Sequence, residues 1–278
     1  MTDFNTKFSL KNKVAVVTGA AGLLGVRHCK ALVEAGATVY MTDISEEKLL
    51  TLTQTLNKEN ATDKFKYVKM DVTQKESIQK AFEKITAQSG DVQILVNNAA
   101  IDPKVKAQSE LLEASRFENF DVGSWDFQLD VGLKGAFYCC QVFGSAMAEK
   151  GFGVILNVAS DLGVIAPDQR LYRVEGKPEH LQPVKPVTYS VIKFGLIGLT
   201  KYLSSYWAHR GVRVNAISPG GVYNNQPEHF VQKLQNLIPM GRMAKVDEYE
   251  STVQYLCSDA SSYMTGQNII LDGGRSVI

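Results

Sequence analysis

The sequence predicts an α/β domain in which one parallel sheet carries helices on both faces. Two observations lead to that class. Short β-rich runs alternate with helical stretches, a rhythm that requires right-handed crossovers between parallel strands. The runs are also almost wholly apolar, as strands covered on both faces must be. No linker, repeat or low-complexity tract interrupts the rhythm, so the 278 residues read as one doubly wound domain with seven strands.

In chain order, Val14-Ala15-Val16-Val17-Thr18 is the first strand, and Leu23 to Ala35 the helix that follows it. Thr38 to Thr42 is the second strand, with a helix from about Glu46. Phe65 to Met70 is the third, followed by a helix from about Gln74 to Gln88. Val92 to Val96, Val154 to Val158, Val212 to Ile217 and Asn268 to Leu271 supply the remaining strands. Long helices are expected within Trp125 to Lys150 and Tyr189 to Arg210. One segment breaks the rhythm: Asp161 to Val187 has little periodicity and holds Pro167, Pro178, Pro183 and Pro186. So long an aperiodic stretch inside a domain is usually a lid or binding loop, and flexible disorder is the alternative. Its basic residues are Arg170, Arg173, Lys177, His180 and Lys185.

Bulk composition narrows the function. An apolar fraction of 45% permits a sizeable core. The 30 basic and 29 acidic residues nearly cancel, so no global field argues for nucleic acid or an anionic membrane. No apolar run approaches the ~20 residues of a membrane span. Met1-Thr2-Asp3-Phe4-Asn5 lacks the basic-then-apolar pattern of a signal peptide. Cys29, Cys139, Cys140 and Cys257 show neither metal nor redox spacing, and His28, His180, His209 and His229 are scattered. A soluble cytoplasmic protein without a metal is expected.

Two motifs carry chemistry. Thr18-Gly19-Ala20-Ala21-Gly22-Leu23-Leu24-Gly25 follows a strand and opens a helix, the context in which a glycine loop cradles a pyrophosphate on helix N-terminal amides. The second strand runs into Asp43, 18 residues beyond Gly25. A carboxylate there accepts both adenosine ribose hydroxyls and repels a 2′-phosphate, which favours NAD over NADP. Asp43 could instead cap the next helix, although Ser45 is available for that. At the other end of the chain stands its single Tyr-x-x-x-Lys, Tyr189 and Lys193, which share one helix face. A phenol titrates near pH ~10 and an adjacent ammonium lowers that value, so the pair suits proton transfer at an alcohol oxygen. Without the glycine loop, a half-buried Tyr beside a solvated Lys would be the better account.

With both ends joined, the chain resembles the classical short-chain dehydrogenase/reductases over essentially its whole length. The marks are Thr18 to Gly25, Asp71-Val72, Asn97-Asn98-Ala99-Ala100, Asn157-Val158-Ala159-Ser160, Tyr189 to Lys193, Pro219-Gly220 and Leu271-Asp272-Gly273-Gly274. The resemblance implies a single Rossmann domain over residues 1–278 with an inserted substrate-side loop at about 161–187. It also implies residue roles. Tyr189 would be the general acid/base, and Lys193 would bind the nicotinamide ribose. Ser160 would bond the reacting oxygen. Gly19, Gly22, Leu24 and Gly25 would line the pyrophosphate. Asp71 and Val72 would meet the adenine, Asn98 and Ala99 the ribose, and Pro219, Gly220 and Val222 the nicotinamide. It further implies a homotetramer built through the long central helices.

The chain departs from that pattern in three places. The middle glycine of the loop falls one position early, with Leu23 in its usual place. Gly132 stands where the family has an asparagine that helps hold a water beside the lysine; a water or a loosened helix backbone is expected to fill the gap. Ser160 and Tyr189 lie 29 residues apart, farther than usual, with the proline-bearing loop between them. Arg170 or Arg173 in that loop is a candidate for binding a carboxylate or phosphate, a solvated loop or subunit contact being the alternative. Val222-Tyr223-Asn224-Asn225-Gln226 is polar, and its amides and phenol suit a sugar or cyclitol, with Asn224 a candidate contact. Together with the insertion, it is similar to short-chain enzymes of bacterial surface-sugar or flagellin-modification pathways. The function expected is an NAD-dependent interconversion of secondary alcohol and ketone on a polar sugar or polyol. The alternatives are a 3-oxoacyl-type reductase and a dinucleotide-binding regulator with weak catalysis.

Overall fold

The computed structural model describes residues 4–101 and 114–278; Met1, Thr2 and Asp3 of the N-terminal reading lie outside the described residues. Its centre is a sheet of seven parallel strands: β1 (Val14–Thr18), β2 (Thr38–Asp43), β3 (Phe65–Lys69), β4 (Ile94–Asn97), β5 (Gly153–Val158), β6 (Val212–Pro219) and β7 (Asn268–Leu271). Their order across the sheet is β3-β2-β1-β4-β5-β6-β7. In register, Val16 sits between Tyr40 and Leu95, and every residue of β1 is buried. This is the class the apolar runs imply: side chains of successive residues enter cores on opposite faces.

Alternate residues of β1 show the two faces. Val14 and Val16 pack with α3 (Lys75–Ser89), the 122–150 helix and the end of α7 (Val187–Trp207). Ala15 and Val17 pack with α1 (Leu23–Glu34), α2 (Glu46–Glu59) and α9 (Glu250–Cys257). The sheet is thus wound in both directions from β1, and chain order reverses between β1 and β4. A crevice for a ligand opens at such a reversal, beyond the carboxyl ends of the strands.

Several boundaries differ from the sequence reading, for local reasons. β6 runs two residues further because Ser218 and Pro219 pair with Ile270 and Leu271 of β7. The long central helix is continuous over 122–150 but not uniform. α4 (Val122–Leu129) passes through a π turn at Asp130–Lys134 into α5 (Gly135–Cys139), then through a second π turn at Cys140–Gly144 into α6 (Ser145–Lys150). Close packing accompanies both turns: a Cβ at Gly135 would lie 2.9 Å from Cγ2 of Val72, and one at Gly144 2.6 Å from the Trp207 ring. The short helices α8 (Glu228–Gln235) and α9 have no counterpart in the sequence reading.

The 161–187 segment is ordered. It holds three 3₁₀ turns, at Asp161–Gly163, Gln169–Tyr172 and Glu179–Leu181. Buried Gln182 ties it together, donating to the carbonyls of Val174 (2.9 Å) and Lys177 (2.7 Å) and accepting from Val174 N–H (2.8 Å). Leu171 then enters a small core with Leu234, Ile238 and Met243, which docks the loop on α8. Among the described residues, no helix is long and apolar enough to cross a membrane.

Candidate active site

β1, β2, β4, β5 and β6 end at Thr18, Asp43, Asn97, Val158 and Pro219, all on one side of the sheet because every strand is parallel. The candidate residues follow those ends. Gly19 has φ +61°, and a Cβ there would lie 2.7 Å from Cα of Ala99; glycine alone meets both demands. Asn98 closes the loop onto β4. Its Nδ2 donates to the carbonyls of Thr18 (2.9 Å) and Gly19 (3.0 Å), while Thr18 Oγ1 accepts from the N–H groups of Asn98 (3.0 Å) and Ala99 (2.9 Å). The amide nitrogen of Asn98 is therefore committed to the glycine loop.

Gly22 precedes α1 in extended geometry, and a Cβ there would meet only the Gly19 carbonyl, at 3.2 Å. The first intrahelical bond of α1 is made by Val26 N–H to Gly22, so the amides of Leu23, Leu24 and Gly25 form the open N-terminal turn. The early position of the middle glycine leaves this cradle intact, because Leu23 stands outward and 46% exposed. Asp43 borders it: one carboxylate oxygen accepts Ala21 N–H at 3.3 Å, and the other accepts Ser45 N–H at 3.2 Å. Ser45 makes no side-chain cap bond, and Asp43 bonds the N–H of Ser45 itself rather than an amide of the first turn of α2. These features fit a dinucleotide: backbone amides without intrahelical partners, close backbone approach, and a carboxylate at the second strand.

Of the adenine-side pair, Asp71 accepts from Thr73 N–H (2.9 Å) and Thr73 Oγ1 (2.7 Å), and Val72 is turned into the core against Gly135. Gly220 is pressed against the chain of β7, where a Cβ would lie 2.7 Å from Cα of Asp272. Its carbonyl accepts the Tyr249 hydroxyl at 3.3 Å. Burial, with nearby Asp161, raises the pKa of Tyr249, which keeps its proton. Val222 is half-buried and pairs with Ala244 as a parallel bridge.

The candidate proton-transfer residues lie at the end of β5 and in the first turns of α7. Ser160 is 4% exposed and begins the 3₁₀ turn Asp161–Gly163. That turn lies directly on α7: a Cβ at Gly163 would be 2.9 Å from the carbonyl carbon of Lys193. The missing side chain is what lets the turn after Ser160 lie against the backbone of Lys193. Buried Lys193 donates to the Val158 carbonyl at 2.7 Å, and its Nζ stands 5.7 Å from the centroid of the Tyr189 ring. A second ammonium, Lys185 of the inserted loop, stands over the same ring at 3.9 Å. The sequence reading counts Lys185 only in the basic composition of the loop; four residues before Tyr189, but ahead of Pro186, it has no helical register to reveal it.

Of the two expectations for Gly132, the altered helix backbone is present, and Ile192 packs on it: a Cβ on Gly132 would lie 2.8 Å from Ile192 Cγ2. The backbone at Gly132 belongs to the first π turn, and its neighbour in space is a methyl group.

Both arginines of the inserted loop pair with its own carboxylates. Arg170 grips Asp168 through Nε (2.8 Å) and Nη2 (2.6 Å), which lowers the pKa of Asp168, and Arg173 pairs with Glu179. After β6, Arg242 holds both oxygens of Glu248 at 2.6 Å, bringing the Glu248 pKa to about 2. In the polar run, Gln226 is spent on its own backbone, accepting from Asn224 N–H (2.7 Å) and donating to the Val222 carbonyl (2.8 Å). Tyr223, Asn224 and Asn225 are exposed, Asn225 with φ +56°.

A Rossmann sheet with a glycine loop at its reversal and a Ser, Tyr and Lys set beyond β5 defines a nicotinamide-dependent oxidoreductase fold. Comparison with known proteins agrees. Residues 13–172 match the family model described as short chain dehydrogenase, and residues 179–276 match one described as enoyl-(acyl carrier protein) reductase. The chain is 32% identical to D-threitol dehydrogenase of Mycolicibacterium smegmatis, over 97% of this chain and 95% of that protein. It is 33% identical to a 3-oxoacyl-(acyl-carrier-protein) reductase of Thermotoga maritima, over 95% and 98%. The crystal structure of a gluconate 5-dehydrogenase from Burkholderia cenocepacia, in complex with NADP and tartrate, superposes with a TM-score of 0.85 at 26% identity, covering 99% of this chain and 100% of that one. The chain belongs to the short-chain dehydrogenase/reductase family, oxidoreductases that act on alcohol groups with a nicotinamide dinucleotide.

Proposed function

We propose that the chain is an NAD-dependent dehydrogenase that interconverts a secondary alcohol and a ketone on a polar sugar or polyol. The observation that carries this reading is the seating of the Ser160 turn on Lys193 through Gly163, beside Tyr189 and across the crevice from a glycine loop bordered by Asp43. A bound nicotinamide dinucleotide supplies the hydride acceptor or donor. Gly19, Gly22, Leu24, Gly25, Asp71, Val72, Asn98, Ala99, Pro219, Gly220 and Val222 border its site in this reading, with Asp43 on the adenosine ribose. Tyr189 takes or gives the proton of the substrate oxygen, Lys193 stabilises negative charge on the phenol, and Ser160 holds the reacting oxygen.

Substrate polarity rests on exposed Tyr223, Asn224 and Asn225, and relatives that act on polyols and sugar acids support it. An anionic substrate has to displace Asp168 to reach Arg170, or Glu179 to reach Arg173. The similarity to a 3-oxoacyl reductase supports a second reading, against which stand Asp43 and this polar run. A homotetramer is part of the same proposal. α7 presents Val191, Phe194 and Tyr202 along one exposed stripe beside Phe127 and Phe137 of the 122–150 helix. A monomer at micromolar concentration in light scattering contradicts that assembly.

Reduced nicotinamide absorbance, followed with NAD and with NADP against D-threitol, glycerol, D-mannitol and D-gluconate, tests the activity. Turnover with NAD on one of them, lowered about 10²–10⁴-fold by Tyr189→Phe, is expected. Turnover only with NADPH and a 3-oxoacyl thioester moves the second reading to first place. Dinucleotide binding with no turnover on any substrate favours the weakly catalytic regulator.

A further inference from the structure

The candidate catalytic serine is tied to the C-terminal turn by a buried charge relay that the family roles do not include. Ser160 Oγ donates to Oδ1 of Asp161 at 2.8 Å. The same oxygen of Asp161 accepts Leu162 N–H at 2.8 Å, and Ser160 Oγ accepts that N–H at 3.2 Å. The other oxygen of Asp161 accepts from Nη1 of Arg275 at 2.8 Å. Side-chain exposure is 4% for Asp161 and 7% for Arg275, and among the ion pairs of the described residues no other has both partners so buried. The turn that carries Arg275 is braced by Asp272, whose carboxylate accepts Gly274 N–H (2.9 Å) and Ser276 N–H (2.7 Å).

A buried ion pair is a poor way to gain stability, because desolvating both charges offsets most of their attraction and well-packed apolar residues do as well. Its value here lies in what it holds. A hydroxyl has one proton and two lone pairs. In Ser160 the proton goes to Asp161 and one lone pair to Leu162, leaving a single lone pair for a substrate. Both the place of Oγ and the direction of its hydrogen are thereby set by a carboxylate that Arg275 anchors.

We infer that Asp161 and Arg275 are positioning residues that orient the Ser160 hydroxyl, so that the C-terminal turn forms part of the active site. This rests on the reading of Ser160 as the hydroxyl that meets the reacting oxygen. A substrate alcohol can donate to the remaining lone pair. A ketone has no hydrogen to give and draws the Ser160 proton away from Asp161. Loss of the Asp161 carboxylate therefore raises KM for the alcohol more than KM for the ketone, a split that general loosening of the fold does not produce.

A double-mutant cycle on the polyol that turns over tests it. Ser160→Ala lowers kcat about 10²–10³-fold. Asp161→Ala lowers it about tenfold in the intact chain, and by less than about twofold in the Ser160→Ala background, because the pair acts as a unit. Equal losses in both backgrounds overturn the inference, while an unchanged kcat in Ser160→Ala sinks the reading of Ser160 instead. Should Asp161→Ala fail to fold, Asp161→Asn combined with Arg275→Met removes the anchored carboxylate without leaving a buried charge, and it lowers kcat several-fold in the intact chain but by less than about twofold in the Ser160→Ala background. An equal loss in both backgrounds for the folded double variant overturns the inference. Crystal structures of Asp161→Ala, or of Asp161→Leu with Arg275→Met, need no substrate: Ser160 Oγ leaves its present rotamer, and an unmoved Ser160 overturns the inference.

Discussion

The cofactor end and the substrate side of this crevice are built on opposite principles. Around the glycine loop, backbone meets backbone: Gly19 against Ala99, Gly25 against the Gly19 carbonyl, and Asn98 bonded to two carbonyls of the loop. Its bordering charge is Asp43. In the inserted loop, arginines reach into solvent and pair with carboxylates of the same segment: Arg170 with Asp168 and Arg173 with Glu179. Close backbone contacts tolerate no added atoms, whereas exposed ion pairs exchange partners at small cost. The first region resists substitution, and the second can be revised.

Glycine substitutions set the two regions against each other. Gly19 and Gly176 both have positive φ, +61° and +78°. At Gly19 an added Cβ meets Ala99 at 2.7 Å; at Gly176, in the inserted loop, it meets nothing within 4 Å. Gly19→Ala is expected to weaken NAD binding more than about tenfold and to cost more than ~1 kcal/mol of stability. Gly176→Ala carries only backbone strain, about 1–2 kcal/mol, and leaves NAD binding unchanged. Calorimetric titration and urea unfolding of both variants measure the contrast. Equal effects on binding would mean that the glycine loop is no more constrained than the lid.

Asp43 is expected to decide between dinucleotides. Asp43→Ser removes the charge that opposes a 2′-phosphate while leaving a short polar side chain at the start of α2. The ratio of kcat/KM for NAD to that for NADP falls by about tenfold or more, an increment of roughly 1.4 kcal/mol. An unchanged ratio would remove Asp43 from the argument for NAD.

The same packing makes the cofactor end sensitive to acid. His28 of α1 is fully buried with neither ring nitrogen bonded, and burial lowers its pKa to about 4 from 6.5. The folded state therefore binds its proton less readily than the unfolded chain. The contribution of neutral His28 is whole above pH 6.5 and is lost as pH falls toward 4. His28→Leu should flatten that limb of the stability profile by about 2–4 kcal/mol. The salt-bridged loop has no buried histidine to match it. Chemical denaturation at pH 7 and pH 4.5 separates the variants, and parallel losses in both would show that other groups set the acid limit.

How much of this the sequence reveals follows the same division. β1, β7 and the reversal crevice are legible because apolar runs and glycine spacing report backbone constraints directly, and Thr18 to Gly25 lies where its pattern says. The substrate side is less so. Gly163 looks like an ordinary loop glycine until its contact with Lys193 is seen, and Ile192 over Gly132 joins positions 60 apart. Arg275 and Asp161 are 114 residues apart, and neither carries a motif. Lys185 over Tyr189 depends on how a proline-bearing loop turns, which periodicity does not encode. Side chains that meet through tertiary packing leave no local signal.

The smallest expected effect is the most pointed test of the division. The guanidinium of Arg170 is 80% exposed yet forked onto Asp168, and Arg173 is half-exposed and paired with Glu179. Exposed pairs contribute about 0–1 kcal/mol, so removing both arginines should hardly change stability. If the substrate is a neutral polyol held by Tyr223, Asn224 and Asn225, the double variant Arg170→Ala, Arg173→Ala leaves its KM within about twofold, less than half a kcal/mol. A uronate or sugar phosphate tested in parallel makes the result informative in both directions. For an anion that displaces Asp168 or Glu179, the same variant raises KM several-fold, and the effect fades as added salt screens the exposed charges. A salt-sensitive rise for the anion with none for the polyol would assign the arginines to substrate choice, and would show that this side of the crevice changes partners while the cofactor end does not.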